Sequence, residues 1–191
     1  MDMKRFIPVL AMLVGATGCL SKAPKAPVHW LIEPAALAAS EAASPKFGAV
    51  RVAQVAVRPP YDGTRLAVLR RDGSVAFDPA NSFAAAPGAI LRGVVQDVAA
   101  ASGLFQRVLA PTSGVAADYG LEVTVTRLAL DCKVEGACHA VADVSVMLTK
   151  GRDVVSAACG SGSMPAGADK NFSAAYSSAV TSALSEALKK L

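Results

Sequence analysis

Apolar and polar residues alternate along two stretches in the second half of the chain. The alternation covers residues 121–130 and 140–148, and a third apolar run follows at 154–161. A period of two is typical of strands with one buried face. Residues 150–153 have the composition of a tight turn between the second and third stretches. Together the three predict an antiparallel meander that buries one face.

Shorter apolar runs occupy the first half of the folded region. A valine-rich run from Val50 to Val57 ends at Pro59-Pro60, and one change of phase within it indicates a bulge. The runs Leu66–Arg70 and Val75–Phe77 flank an Asp-Gly pair, which is a strong signal for a β-hairpin with a type I′ turn. Residues 104–109 predict a further short strand.

Two segments carry the three-or-four spacing of amphipathic helices. In the first, Asn81 or Ser82 can cap the start and Pro87 fits the first turn, so a helix is predicted over about 84–102. The second predicts a helix over 172–190. The order of strands, helix, strands and helix predicts an α+β domain, in which the two main helices pack on an antiparallel sheet.

A basic start, an apolar run and small residues precede Cys19. The apolar run is too short to span a bilayer, which needs about 20 residues, and the pattern predicts a signal peptide over residues 1–18. The cysteine resembles that of a bacterial lipobox, in which the residue after the cleavage point is lipidated. Ala16 stands where the lipobox usually has leucine. The alternatives are an ordinary signal peptide with an incidental cysteine, or a buried N-terminal helix.

The remaining chain divides into a tether over residues 19–46 and a single domain over 47–191. The tether is rich in Ala, Pro, Ser and Lys, a composition that stays extended because it has little to bury. Within it the apolar segment Val28–Glu33 predicts a short edge strand that docks on the body. Leu20 follows the cysteine instead of an aspartate, which by resemblance to enterobacterial sorting indicates the outer membrane.

Composition adds two constraints. Hydrophobic residues make up 53% of the chain, but after the signal peptide no uncharged apolar run approaches the length of a membrane span. The formal charge is +4, with Lys and Arg scattered along the sequence. A nucleic-acid binder would cluster its basic residues on one face, so we expect no nucleic-acid partner.

Three further cysteines would enter an oxidising compartment after export. Cys132 and Cys138 flank a short loop that can bring their Cα atoms within the roughly 4.4 to 6.8 Å that a disulfide requires, and we predict this disulfide. Cys159 would then be buried and free, unless it pairs with one of them from a neighbouring strand. Zinc is the competing interpretation because His139 follows Cys138, but these three crowded ligands lack the usual second pair. No metal site is predicted.

The sequence carries no recognisable catalytic motif. A Ser-His-Asp triad would need His29 in the tether or His139 beside the predicted disulfide, and there is no Gly-x-Ser-x-Gly elbow. The Gly-Ser-Gly-Ser segment at 160–163 lacks the lysine of a phosphate-binding loop. We therefore expect no enzymatic activity and no cofactor.

Five segments follow one another in a recognisable order: Trp30-Leu31, Val50–Tyr61, Leu66–Arg70, Phe83–Pro87 and Gly103–Phe105. They read as an aromatic-Leu strand, a Val-rich strand ending at proline and tyrosine, a Leu-rich segment ending in arginine, and a helix start and helix end. In this order, after a lipobox and a linker, they resemble the auxiliary lipoproteins of ABC-type lipid transport systems, the PqiC/YmbA family. The resemblance spans most of the chain after the signal peptide.

The resemblance implies an outer-membrane lipoprotein on the periplasmic face that binds and docks beside an MCE-domain protein and an inner-membrane permease. The partner surface is expected on the C-terminal helix or on the hairpin from Tyr61 to Phe77. Tyr61 and Arg70 are candidate partner contacts, with a turn residue and a solvated charge as the alternative interpretations. A homo-oligomer is left open. The alternative function is an envelope-assembly lipoprotein that supports a cell-wall synthase or a secretion channel.

Overall fold

The computed structural model describes residues 26–36, 44–134, 136–166 and 171–191. The predicted signal peptide and Cys19 lie outside the described residues. In chain order the elements are β1 (Val28–Trp30), β2 (Phe47–Val57), β3 (Arg65–Leu69), β4 (Val75–Phe83), α1 (Pro87–Ala101), β5 (Phe105–Leu109), β6 (Tyr119–Val134), β7 (Ala137–Lys150), β8 (Asp153–Pro165) and α2 (Phe172–Lys189). Within the described ranges, neither helix is long and apolar enough to cross a membrane.

The strands form one mixed sheet, so the prediction of an antiparallel sheet was wrong. The meander of β6, β7 and β8 and the hairpin of β3 and β4 are antiparallel, as predicted. However, β2 pairs in parallel with both β5 and β6, β3 pairs in parallel with β6, and β1 pairs in parallel with β4. Parallel partners are joined by long crossover connections rather than tight turns, so they leave no local turn signal in the sequence.

Strand β6 organises the sheet because it pairs along both of its edges. On one edge its first half, Tyr119–Val125, lies beside β2, while Leu130 and Asp131 further along lie beside β3. The chain passes from β2 to β3 around Pro59-Pro60, so these two strands follow each other along the same edge. Strand β7 occupies the other edge. The predicted bulge is present in β2 after Val52.

Both helices cover one face of the sheet and share a single hydrophobic core with it. Helix α1 packs on β2 and β5, helix α2 packs on β7 and β8, and the helices contact each other. Pro87 begins α1, in the first turn as predicted, but the N-cap is Ala86 and makes no side-chain bond. Asn81 and Ser82 belong to β4, so the predicted cap was wrong. Asn171 caps α2 through its side chain.

Helix α2 approaches β8 through small residues on both sides. Gly160 and Gly162 of β8 face Ala179, Ala183 and Ala187, which are spaced four residues apart along α2. A Cβ atom on Gly160 would overlap the carbonyl oxygen of Ala183, and one on Gly162 would overlap that of Ala179. The backbone of the helix therefore rests directly on the backbone of β8.

Residues 31–35, here called the strap, run along α2. Alternate residues of the strap form hydrogen bonds with hydroxyl groups of α2. Each step of two residues along the strap corresponds to a step of four residues along the helix. The pairs are Leu31 O with Ser173 Oγ (2.6 Å), Glu33 N with Ser177 Oγ (3.0 Å) and Ala35 N with Thr181 Oγ1 (3.1 Å). Four residues advance a helix by about 6 Å and two extended residues advance a chain by about 6.6 Å, so the two repeats match. Between these bonds Ile32 enters the core.

Strand β1 secures the chain just before the strap. Trp30 donates a hydrogen bond from Nε1 to Asn81 Oδ1 (2.9 Å), and its ring packs edge-on against Phe172 of α2. The carbonyl of Trp30 accepts a hydrogen bond from the N–H of Ala84 (2.8 Å). Residues 28–35 are therefore attached to the folded body, and the stretch that separates Cys19 from β1 is residues 20–27.

Removing two hydroxyls from α2 should loosen the strap without unfolding the domain. In the double variant S177A/T181V the N–H groups of Glu33 and Ala35 lose their acceptors, at about 1 kcal/mol each. Hydrogen exchange at these two amides is expected to become roughly fivefold faster or more. The neighbouring variant Ser178→Ala is the control and should change neither rate. Unchanged exchange in S177A/T181V would show that other contacts hold the strap.

Candidate interaction surface

The face of the sheet opposite the helices, here called the helix-free face, carries a small apolar cluster of its own. Its buried members are Ala67, Leu69, Ala129 and Val141, with Tyr61 packed against them. The strand registers place Phe77, Ala67, Ala129 and Val141 side by side across four neighbouring strands, and we call this row the apolar band. Phe77 is 36% exposed, so one end of the band is open to solvent.

An open cleft of about 420 Å³ lies at the Phe77 end of the band. Its lining residues are Pro60, Asp62, Gly63, Thr64, Arg65 and Phe77. The guanidinium of Arg65 lies over the Phe77 ring, 4.6 Å from its centroid, which is a favourable cation–π geometry. An exposed ring, a guanidinium and a carboxylate lie together here, and aromatic and arginine side chains are the residues that most often anchor protein interfaces.

A groove of about 290 Å³ lies at the other end of the band, beside the β6–β7 hairpin. Its lining residues are Asp131, Lys133, Val134, Ala137, His139, Val141 and Ser163. Val134 at the hairpin tip is 70% exposed, and Lys133 pairs with Asp131 at 3.5 Å. Phe77 belongs to both cleft and band, and Val141 to both band and groove. The cleft, band and groove therefore form one surface, which we call the candidate interaction surface.

Tyr61 and Arg70, the two candidate partner contacts, have different surroundings. Tyr61 is half-buried and packs against both the main core and the helix-free cluster. Arg70 is exposed and follows the last residue of β3. The structure thus gives Tyr61 a role in joining two clusters, and leaves the side chain of Arg70 accessible to a partner.

The loop between β3 and β4 differs from the predicted type I′ turn, although the hairpin itself is confirmed. The N–H of Arg70 donates to the carbonyl of Ser74 at 2.9 Å, and Gly73 has a φ of 82°. This is a three-residue loop that ends in the left-handed region. The hydroxyl of Ser74, and then its N–H, donate to the Asp72 carboxylate and hold the pKa of Asp72 below its ordinary value.

The predictions made for the cysteines are confirmed in part. Cys132 and Cys138 form the predicted disulfide, with their Cα atoms 4.3 Å apart. Cys159 is free, but it is exposed, so the prediction that it would be buried was wrong. It lies in β8 opposite Ser145 of β7, on the face that the helices leave uncovered. Alternate residues of β8 point to opposite faces of the sheet, and Gly160, not Cys159, faces α2.

The two histidines lie apart from one another. Nδ1 of His29 is 2.8 Å from the hydroxyl of Ser82, whereas His139 lines the groove. Within the part of the chain that the structure describes, no group of three His, Cys, Asp or Glu side chains could hold a metal ion.

Tyr176 belongs to the core under α2 and not to the candidate interaction surface. Its ring packs edge-on against Phe83, with 5.3 Å between the centroids. Burial, and to a smaller extent the charge of Asp78, raises the pKa of Tyr176, so the phenol stays neutral. Its hydroxyl has no hydrogen-bond partner among the described residues. This side chain contributes apolar packing.

No family model matches the chain, and no curated protein matches it in sequence. Solved structures do match its fold. A DUF330 protein from Xanthomonas campestris gives a TM-score of 0.56 at 20% identity, covering 85% of this chain and 86% of that one. An uncharacterized protein gives a TM-score of 0.52 at 16% identity, covering 75% of this chain and 86% of that one. This chain therefore has the fold of the DUF330 structure.

A third structure, a PelC dodecamer from Paraburkholderia phytofirmans, gives a lower TM-score of 0.45 at 17% identity. The match covers 81% of this chain and 94% of that one. A likeness of this size is too weak to support an inference about assembly or function.

The hairpin from Tyr61 to Phe77 was one of the two partner surfaces expected from the sequence, whereas the band and the groove were not expected. The sequence does contain a pattern that indicates the band and the groove. Residues 128–130 in β6 and 140–142 in β7 are each three consecutive apolar residues within otherwise alternating strands. Three in a row place an apolar side chain on both faces of a strand, and here the middle ones build the helix-free cluster.

Proposed function

We propose that this chain is an outer-membrane lipoprotein, anchored by a lipid on Cys19, that serves as the auxiliary component of an ABC- and MCE-type lipid transport system. Its body lies on the periplasmic face and acts by binding and docking. An MCE-domain protein is its direct partner, and an inner-membrane permease completes the system.

The fold shared with the DUF330 structure is the observation that carries this proposal. That likeness extends over 85% of this chain and is a likeness to a fold of the PqiC/YmbA kind. The segments from Trp30 to Phe105 resemble the same auxiliary lipoproteins in residue type and order. Backbone path and residue pattern are different kinds of evidence, and both support the same family.

The short stretch between the anchor and the body supports a role close to the membrane. Nine steps along the chain separate Cys19 from Val28, the first residue of β1. An extended chain covers at most about 3.5 Å per step, so Val28 stays within about 30 Å of the anchor whatever conformation residues 20–27 adopt. Confinement to such a layer raises the effective concentration for any partner that reaches the membrane.

The candidate interaction surface provides the docking site in this proposal. Its cleft combines the exposed Phe77 ring with Arg65 and Asp62. Arg70 lies at the other end of β3, next to Leu69, whose register partner Asp131 lines the groove. The helices leave this side of the sheet uncovered, whereas most of α2 is buried against the body. Of the two partner surfaces expected from the sequence, we therefore propose the hairpin side.

Cross-linking in intact cells followed by purification from membranes tests the proposal. We expect an MCE-domain protein and its permease to be recovered with this chain and identified by mass spectrometry. Repeated recovery of a cell-wall synthase or a secretin, with no MCE-domain protein, would favour the envelope-assembly alternative and overturn this proposal.

A pair of matched variants tests which side of the sheet the partner contacts. Arg70→Glu is expected to reduce recovery of the MCE-domain protein several-fold, because it reverses an exposed charge at the end of β3 that lies nearest the groove. Arg152→Glu makes the same change in the exposed β7–β8 turn, at the opposite end of the sheet, and should leave recovery unchanged. Equal recovery with both variants would remove Arg70 from the docking site.

A further inference from the structure

Strand β8 forms an edge of the sheet. It pairs with β7 alone among the described strands, over the thirteen residues Asp153–Pro165. The outer side of an edge strand presents a row of backbone N–H and C=O groups to which a strand from another chain can add. A second strand can add only where these backbone groups are not already hydrogen-bonded within the chain.

Two residues near the end of α2 occupy the middle of the row. Lys190 donates from Nζ to the carbonyl oxygen of Cys159 (3.0 Å), and the N–H of Ser161 donates to the Glu186 carboxylate (2.8 Å). In an antiparallel pair, alternate residues direct both of their backbone groups to the same side. Cys159 and Ser161 are thus residues whose backbone groups point away from β7, and Cys159 is the central residue of the strand.

Glu186 and Lys190 are also bonded to each other at 2.7 Å, one turn apart on the helix. The Lys190 ammonium, followed by the Ser161 N–H, lowers the pKa of Glu186 below its ordinary value, so the carboxylate is charged at neutral pH. Their side chains are 44% and 53% exposed, and an exposed ion pair contributes little to stability. The effect of this pair is geometric, because it fills one donor and one acceptor position on the edge.

We propose that Glu186 and Lys190 form a clasp that closes the β8 edge to strand addition by a second copy of this chain. Two copies of β8 can pair antiparallel about a two-fold axis, since such an interface uses the same edge twice. The pairing would pass through Cys159 and Ser161 at the centre of the strand, where the clasp stands. This inference rests on the geometry of β8 and α2 and is independent of the proposed function.

The double variant E186A/K190A tests the clasp directly. It removes one negative and one positive charge, so any association cannot be attributed to a change in net charge. The full mature chain is purified in detergent, in a Cys159→Ser background that prevents disulfide formation between copies, and its mass is measured by light scattering over a range of concentrations. We expect a concentration-dependent rise of about twofold in mass relative to the same background with the clasp intact.

Two further variants locate the effect. Lys189→Ala changes the adjacent exposed lysine and should behave as the parent. Adding Ser161→Pro to E186A/K190A should restore the parent mass, because proline removes the outward N–H that a second strand would use. Proline is tolerated on an edge strand where the N–H faces away from the sheet.

A folded E186A/K190A protein with the parent mass at every concentration would overturn the proposal. Association that Ser161→Pro does not reverse would also overturn it, because the contact would then involve another surface.

If E186A/K190A does not fold, the exchanged variant E186K/K190E applies the same test. It retains an ion pair on α2 but presents an ammonium to the Ser161 N–H and a carboxylate to the Cys159 carbonyl, so it too should associate.

Discussion

Gly162→Ala is expected to lower the free energy of unfolding by about 3 kcal/mol or more. The new Cβ would overlap the carbonyl oxygen of Ala179 and also press on the backbone nitrogen of Ala183. A flexible side chain can rotate away from such a contact, but the backbone of a helix cannot. Helix α2 must therefore move off β8, and the core side chains behind it must repack at a density where small displacements are costly.

Thermal unfolding measures this effect, and for a chain of this size the loss corresponds to a fall in Tm of roughly 6 to 12 °C. Gly160→Ala should act in the same direction through the carbonyl of Ala183. Gly93→Ala is the matched control, because Gly93 is exposed on α1 and its Cβ would meet no atom within 4 Å. Alanine is the better helix former by about 0.5–1 kcal/mol, so Gly93→Ala should stabilise the protein. A Gly162→Ala protein as stable as the wild type would contradict the close approach of α2 and β8.

Features that depend on neighbouring residues were predictable from the sequence. Pro87 marked the first turn of α1, the periodicity of the last segment located α2, and the Asp-Gly pair marked the hairpin of β3 and β4. Each is encoded within a few residues, through a fixed φ, a helical repeat or a turn that needs a left-handed residue. The short loop between Cys132 and Cys138 is equally local.

Features that depend on distant residues were not predictable in this way. The parallel pairings of β2 with β5 and β6 bring together segments that the chain joins through β3, β4 and α1. The sequence of a single strand does not specify which strand it pairs with or whether that pairing is parallel or antiparallel. The clasp of Glu186 and Lys190 on β8 is hidden for the same reason, since it joins the last turn of α2 to an edge strand by side-chain to backbone bonds.

The strap was predictable in part. The apolar segment Val28–Glu33 was expected to dock on the body as a short edge strand, and this is confirmed, since β1 pairs with β4 and Ile32 lies in the core. The bond from Ala35 to α2 was not expected, because Ala35 belongs to an Ala- and Pro-rich stretch with the composition of a linker. Ser173, Ser177 and Thr181 look like ordinary polar positions on α2, although two of them are buried and serve as partners for the strap backbone. The candidate interaction surface is a similar case, because its apolar band becomes visible only when four strands are set side by side.

Cys19→Ser is expected to remove almost all of the protein of mature size from the membrane fraction. Serine lacks the thiol that would carry the lipid, so the chain should be released or remain as an uncleaved precursor. Each buried CH₂ of a lipid chain contributes about 0.8 kcal/mol, and stable anchoring requires more than one chain. Among the described residues no helix is long and apolar enough to cross a membrane. Cys159→Ser is the matched control, since it makes the same substitution at a cysteine in the folded body and should leave the membrane fraction unchanged.

Fractionation of the two variants, with mass spectrometry of the wild-type N-terminus, measures the role of the anchor. An unmodified Cys19 in the mature wild-type protein, or a Cys19→Ser protein that is cleaved to the mature size and still stays with the membrane, would contradict lipidation. Because the first described strand begins at Val28, nine positions after Cys19, we expect the anchor to act on the body only through distance. If the proposed function holds, released Cys19→Ser protein should bind a purified MCE-domain protein as tightly as the wild type does, while failing to replace the wild type in cells. Weaker binding by Cys19→Ser than by the wild type would mean that the lipid itself takes part in binding.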